Sequence, residues 1–223
     1  MTSTPPEVPG AGPSDRGLRT ATRPTLVFPD LTVEEAVLVG EALIDRSPVF
    51  WEWMLRCDGA LAPHVAWSIL DLARREVSSP PDHDRVTASL GFGVGVALAQ
   101  LWLACGLEPG TVAGREPTGA AAAAFTADTR SLADAAALAL VGSRPRAAPW
   151  LVLAMPRSGE PADLPGQRVE VEIGPAGPDP NIPGRLRAVA HGLRASGAAV
   201  DLARLEAQLA DDQTEGAPGG GAP

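Results

Sequence analysis

Leu107-Glu108-Pro109-Gly110-Thr111-Val112-Ala113-Gly114-Arg115-Glu116-Pro117-Thr118-Gly119-Ala120 reads as a turn, a short strand and the entry to a helix. Pro109-Gly110 is a turn signal. Thr111 to Ala113 is a short strand candidate, and Gly119 to Ala127 continues as an alanine-rich helix. A further helix is expected over Leu132 to Val141. Alanine abounds throughout the chain, so these runs carry less meaning than their helix propensity suggests.

Upstream, Ala88 to Cys105 is a long apolar helix, preceded by a Pro/Asp loop from Ser78 to Asp84. Helices are expected over Val33–Arg46, Val49–Ala60 and Ala66–Val77. In the second of these, Trp51, Met54 and Leu55 fall on one face at helical spacing. Thr32 can cap the first, with Glu35 at the reciprocal position of a capping box. Thr25 to Phe28 is a short buried-strand candidate stopped by Pro29. Residues Met1 to Pro24 are rich in Pro, Gly, Ser and Thr without apolar periodicity, which predicts a disordered arm.

Downstream, a Pro/Arg linker near Ser143 to Pro149 precedes strand candidates at Leu151–Met155 and Arg168–Ile173. The second alternates strictly, which predicts one solvated face. Gly184 to Ser196 reads as a helix with Leu186, Val189 and Leu193 on one face, and Ala198 to Leu202 as a strand. Together, residues from Trp150 to Leu202 predict a small β-β-α-β unit. Thr214 to Pro223 reads as a flexible tail.

The chain has 223 residues, 45% of them hydrophobic, and a formal net charge of -9. That length can bury a substantial core. The acidic balance argues against nonspecific nucleic-acid and anionic-membrane binding, both of which need an excess of Lys and Arg. No basic segment followed by an apolar one opens the sequence, so no signal peptide is read. The apolar stretch Leu90–Gly106 is interrupted by Gln100 and glycines and is short of the ~20 residues of a membrane span. The expectation is a soluble, cytoplasmic protein.

The remaining motifs read as structural. Gly91-Phe92-Gly93-Val94-Gly95 does not match a dinucleotide or phosphate loop and predicts close helix packing. His64, His83 and His191 lack ligand spacing, so no metal site is expected. Cys57 and Cys105 lie in apolar helical runs and read as buried free thiols. Trp51, Trp53, Trp67, Trp102 and Trp150 read as packing residues. Glu34-Glu35 and Asp211-Asp212 read as solvated charges at helix ends. Taken alone, these patterns stop at a mostly helical α/β protein.

Several strings go further. Leu26-Val27-Phe28-Pro29 followed by Gly40 to Phe50 is similar to VFPGQGSQ…GRELLAESPVF. Cys57 to Asp71 is similar to C..ALAPYVDWSLLD, Asp84-Arg85-Val86 to a DRV element, and Val96 to Trp102 to VALAELW. Leu107 to Gly114 is similar to GVEPDAVVG, and Ser131 to Ala136 to SLEDAA. In this order and spacing the chain resembles the acyltransferase domain of modular type I polyketide synthases. The likeness is weaker beyond residue 149. There, Arg168–Pro175, Leu186–Gly197 and Val200-Asp201-Leu202-Ala203 are similar to the strand before VNGP, the helix after it and VDYA. A second alignment instead sets Val171–Leu205 at the family domain's C-terminal end, after a large deletion. The order-preserving alignment is preferred.

The resemblance implies an α/β fold, helix-rich with flexible ends. It would comprise a partial α/β-hydrolase-like large subdomain over 25–149 and a small ferredoxin-like subdomain over 150–206. A disordered arm over 1–24 and a flexible segment over 207–223 would flank them. On this alignment the closing strands and helix of the large subdomain are missing, which predicts an uncovered face and self-association.

Such acyltransferases take an acyl group from coenzyme A on a serine in a G-x-S-x-G elbow, assisted by a histidine, and pass it to a carrier-protein thiol. The elbow GHSQGE aligns with Gly114-Arg115-Glu116-Pro117-Thr118-Gly119, with one residue inserted. Glu116 stands at the nucleophile and Pro117 has no amide to donate. Thr118 supplies the nearby hydroxyl but is out of register. The oxyanion glutamine falls at Leu31, with the flanking glycines at Asp30 and Thr32. The arginine for the substrate carboxylate falls at Gly142, with Arg144 matching the motif's second arginine, and the histidine falls at Leu205. Hence no catalytic, cofactor-binding or metal residue is expected, and no cofactor. The resemblance implies an inactive acyltransferase-like protein of polyketide biosynthesis that binds an acyl carrier protein or a synthase module. The alternatives are an active acyltransferase using other residues, or a decayed fragment without function.

Overall fold

The computed structural model describes residues 23–75, 82–141, 155–156, 170–172 and 180–210. The chain begins there with strand β1 (Thr25–Phe28), every residue of which is buried. Pro29 ends it, as its missing N–H predicts. Helix α1 (Val33–Leu43) follows with the expected capping box: the Thr32 hydroxyl accepts from the Glu35 amide, and the Glu35 carboxylate accepts from the Thr32 amide.

Helix α2 (Pro48–Leu61) opens on Ser47, whose hydroxyl accepts from the Phe50 amide. The face it buries is Phe50, Met54, Cys57 and Leu61. That corrects the expected Trp51–Met54–Leu55 face: Trp51 is half-buried and Leu55 is 50% exposed. The buried residues recur at i, i+4, i+7 and i+11, the narrow seam of a helix whose main neighbour is the long helix that follows. Helix α3 (Ile69–Ala73) is shorter than the expected 66–77, because Ser68 caps it and Arg75 turns the chain with a φ of 58°.

Helix α4 (His83–Ala104) starts five residues before the apolar run, where the Asp82 carboxylate caps the Arg85 amide. It is long and apolar enough to cross a membrane by length and composition, but 83% of its apolar window is buried inside the protein. It is the central core helix, packed on α1, α2 and α3 and on the helices that follow. The Gly91–Gly95 run serves that packing. A Cβ on Gly93 would lie 2.3 Å from Ile69 Cδ1, and one on Gly95 3.4 Å from Phe28 Cδ1.

Strand β2 (Thr111–Gly114), helix α5 (Glu116–Thr126) and helix α6 (Leu132–Val141) come next. Strand β3 (Met155–Pro156), strand β4 (Glu170–Glu172), helix α7 (Ile182–Ala195) and helix α8 (Leu202–Leu209) complete the order. The four strands form one sheet in the order β3-β2-β1-β4. β1 is parallel to β2, from Thr25 opposite Thr111 to Phe28 opposite Gly114. β1 is also parallel to β4, while β3 runs antiparallel to β2. The architecture is therefore α/β, helix-rich, around a small sheet.

Three expectations for the C-terminal third are corrected. The strands at 155–156 and 170–172 join the sheet of β1 and β2, so the described residues of 150–206 do not build a separate small sheet. The expected strand at 198–202 is irregular chain over 198–201 that runs into α8 at Leu202, where the Asp201 carboxylate accepts from the Arg204 amide and caps the helix. Residues 207–209, expected in a flexible segment, lie in α8 with Leu209 buried, and residues from 211 lie outside the described residues. In α7 the buried face is Ile182, Leu186, Ala190 and Leu193, and Val189 is 36% exposed. The arm over 1–22 and the tail from 214 lie outside the described residues.

Helix α8 is latched at two points. The Asp201 amide donates to the Cys105 carbonyl at 2.8 Å, just past the end of α4. Gln208 Oε1 accepts from the Ser47 hydroxyl at 2.8 Å and from the Val49 amide at 3.3 Å. Arg187 holds Glu206 through paired contacts of 2.8–3.0 Å, tying α7 to α8. The guanidinium keeps the Glu206 carboxyl below the usual range.

Ser47 is 1% exposed and serves both α2 and α8, so Ser47→Ala removes a cap and a buried tertiary bond together. We expect a loss of about 1–3 kcal/mol in urea unfolding, with an unchanged m-value. A change below about 0.5 kcal/mol, the range of inert surface substitutions, would contradict the latch.

Candidate functional site

The residues aligned with a reacting elbow lie at the carboxyl ends of β1 and β2. β2 ends on Gly114, Arg115 is extended (φ -91°, ψ 150°), and α5 starts at Glu116. This strand–turn–helix is compact because glycine stands at both sides. A Cβ on Gly114 would lie 2.1 Å from the Gly119 carbonyl oxygen, and one on Gly119 would lie 2.9 Å from the Phe28 carbonyl oxygen. Neither position admits a side chain. The Arg115 amide donates to the Phe28 carbonyl at 3.0 Å, closing the turn onto β1.

The close backbone approach of an elbow is therefore present, but its strained residue is not. Among the described residues the non-glycine positive φ angles belong to Arg75 and Asp128, far from this turn in sequence. Glu116 is the first helical residue, and Pro117 follows without an amide. An oxyanion hole draws on backbone N–H groups just after the nucleophile. Pro117 withholds the one that this register needs.

Leu31, in the loop after β1, is 5% exposed and part of the core. It meets the elbow across Gly91 of α4. A Cβ placed on Gly91 would lie 3.6 Å from Thr118 Cγ2 and 3.9 Å from Leu31 Cβ. The structure thus brings Leu31 and Thr118 together around Gly91.

Helix α8 begins beside Cys105, whose carbonyl takes the Asp201 amide. Leu205, aligned with the family histidine, is 1% exposed and packs in the core. Gly142 and Arg144 lie outside the described residues.

Other candidate chemistry is absent from this edge. Cys57 and Cys105 are buried free thiols, as expected. Burial raises the Cys57 thiol, and burial with the nearby Asp201 carboxylate pushes Cys105 up to about 11. Both are protonated at neutral pH and are poor nucleophiles. Among the described residues no three His, Cys, Asp or Glu side chains converge as metal ligands. Trp102 is buried; Trp51, Trp53 and Trp67 pack partly buried against the core, and Trp67 Nε1 donates to the Ser89 hydroxyl at 3.2 Å. Trp150 lies outside the described residues.

The fold and this edge define an α/β protein with a glycine-tightened strand–turn–helix. Residues 38–148 match the family model of the acyl transferase domain. Erythronolide synthase EryA2 of Saccharopolyspora erythraea is 40% identical over 126 residues, covering 55% of this chain and 3% of that protein. Polyketide synthase GfsE of Streptomyces halstedii is 40% identical over 131 residues, covering 58% of this chain and 3% of that one. The acyltransferase domain from module 8 of the salinomycin polyketide synthase superposes with a TM-score of 0.49 at 36% identity, over 54% of this chain and 28% of that one. Over the matched stretch the chain resembles the acyl transferase domain carried by modular polyketide synthases. It spans only about 3% of the length of the synthases it matches.

The sharpness of the turn yields a paired expectation. Gly114→Ala should destabilise the protein by about 3 kcal/mol or more, because the new methyl meets backbone that cannot give way. Gly59→Ala, inside α2 with nothing within 4 Å of a Cβ, should stabilise it by about 0.5–1 kcal/mol. Chemical denaturation of the two variants checks this, and equal effects would contradict the close approach.

Proposed function

We propose that this is a non-catalytic acyltransferase-like protein of polyketide biosynthesis, a pseudoenzyme that acts by binding a synthase module or an acyl carrier protein. The observation that carries the reading is the elbow: its tight backbone is kept, while Glu116 and Pro117 stand where a nucleophile and an oxyanion amide are required. Residues that react as a unit lose most of their rate when one member goes. The cytoplasm, where polyketide synthases meet their coenzyme A substrates, is the compartment this reading implies. The relatives in which such segments sit are multimodular, which favours a synthase module as partner. Self-association is the competing binding mode, and light scattering with and without an isolated carrier protein separates the two.

Incubation with malonyl- or methylmalonyl-coenzyme A should leave the intact mass unchanged. Thr118 is half-buried beside Gly91 and carries the hydroxyl nearest the turn. A stoichiometric acyl adduct that disappears in Thr118→Ala would overturn the proposal in favour of an active acyltransferase.

Restoring the hydroxyl alone should not restore turnover. In Glu116→Ser the missing Pro117 amide persists, and loss of one oxyanion donor costs about 2.7–4 kcal/mol in hydrolases. Hydrolysis of malonyl-coenzyme A by Glu116→Ser should match that of Glu116→Ala. A rate clearly above that control would show a site that is chemically complete apart from its nucleophile.

A further inference from the structure

Helix α8 has 8 residues, too few to hold a helix alone, since helices shorter than about 12–15 residues are marginal in water. Its order comes from where it docks. Leu205 and Leu209 are buried, and Leu202 packs partly buried against the core. Gln208 Oε1 accepts from the Ser47 hydroxyl and the Val49 amide at the start of α2. The Asp201 amide donates to the Cys105 carbonyl at the end of α4. The seat therefore combines room for two leucines with a hydroxyl, an amide and a carbonyl in fixed places.

One turn brings α8 back to that seat. Helix α7 ends at Ala195, and Gly197 takes the left-handed region with a φ of 91°. The Gly197 amide donates to the Arg194 carbonyl at 3.1 Å and the Ala198 amide to the Leu193 carbonyl at 3.0 Å. These are the paired bonds of a helix that ends on glycine. The turn adds only the small side chains of Ala198 and Val200 to the core. If Gly197 leaves the left-handed region, residues 196–201 continue α7 as helix. At a rise of 1.5 Å per residue, α8 then starts on the order of 9 Å beyond the end of α7, away from its own seat.

Among the described residues α8 is the segment shown to fit the seat, and a second copy brings an identical helix and an identical seat. We infer that α8 exchanges reciprocally between two copies of this chain, with Gly197 as the hinge, so that Ser47 of each copy holds Gln208 of the other. Every bond of the seat is remade across the pair, and a two-fold arrangement closes it. The inference goes beyond the non-catalytic reading and does not depend on it, since it needs neither a synthase partner nor an acyl group. Within one chain the short turn presents α8 to its own seat at an effective concentration on the order of 1 mM. Exchange therefore competes at protein concentrations near that value.

The full chain, held at ~1 mM in urea below its unfolding midpoint and returned to buffer, tests this by light scattering. A dimer should form and persist for hours after dilution, because separation requires both helices to undock. Gly197→Ala should shift the monomer–dimer equilibrium roughly fivefold or more towards dimer, since alanine resists the left-handed region. Gly197→Asn, which tolerates that region, should stay near wild type. The latch then shows whether the dimer is exchanged. Ser47→Ala and Gln208→Ala, each checked for a cooperative melt, are mixed under the same conditions with one of them mass-labelled. The mixed dimer keeps one intact latch and neither homodimer keeps any, so native mass spectrometry should find more mixed dimer than random pairing gives. A wild-type chain that stays monomeric throughout overturns the inference, and that arm needs no variant. A dimer that separates within minutes of dilution, or mixed pairing at the random level, also overturns it in favour of ordinary surface association. Equal dimer fractions for Gly197→Ala and Gly197→Asn overturn the hinge.

Discussion

The close approach of β2, α5 and β1 at Gly114 and Gly119 is the constraint on which the rest of the molecule depends. Two backbones pass so near each other that a methyl at either glycine would collide with a carbonyl group. That contact sets the direction in which α5 leaves the sheet. The direction of α5 in turn decides how α6 and the apolar α4 share the core. The glycines of α4 continue the same theme, letting Ile69 and Phe28 approach its backbone. The result is a core built on backbone proximity and small residues, with Phe28, Phe50, Phe92 and Trp102 as its large buried members.

The same constraint separates architecture from chemistry. A reacting elbow needs both a sharp turn and a set of convergent polar groups. The sharp turn survives here because the packing of three elements demands it, whatever stands at the reacting position. The polar groups are under no such demand. Pro117 fits the first turn of α5 well, since a helix leaves its first N–H groups unpaired in any case. Leu31 suits a buried loop better than an amide would, because an unpartnered amide there would carry a desolvation cost. Each of these residues is thus locally favourable for folding.

The C-terminal helices show how distant segments are bound into this frame. Ser47 caps α2 and also binds Gln208, so one buried hydroxyl links the second helix to the last. The Cys105 carbonyl, left over at the end of α4, receives the Asp201 amide. These bonds satisfy backbone and side-chain groups that helix ends leave open. They hold α8 against the start of α2 and the end of α4. Leu205 is consequently a core residue.

The sequence by itself determined the local structure wherever chemistry within a few residues decides it. Thr32 with Glu35, Pro29 after β1, and the run from Leu132 to Val141 were all legible because caps, prolines and helical periodicity act over one or two turns. The acyltransferase resemblance and the glycine-flanked turn were legible for a similar reason, since the quoted strings and Gly114 to Gly119 are contiguous. Only the tertiary structure decided which sheet the strands at 155–156 and 170–172 join, because strand pairing is nonlocal and an alternating pattern does not name its partner. It also decided that Met54 and Leu61 face inward while Leu55 does not, since several helical faces are apolar and the neighbour selects one. Asp201 as a cap and Leu205 as a core residue belong to the same class. Their roles follow from where α8 docks, and that is set by Cys105, Ser47 and Gln208, residues brought together across 161 positions between Ser47 and Gln208.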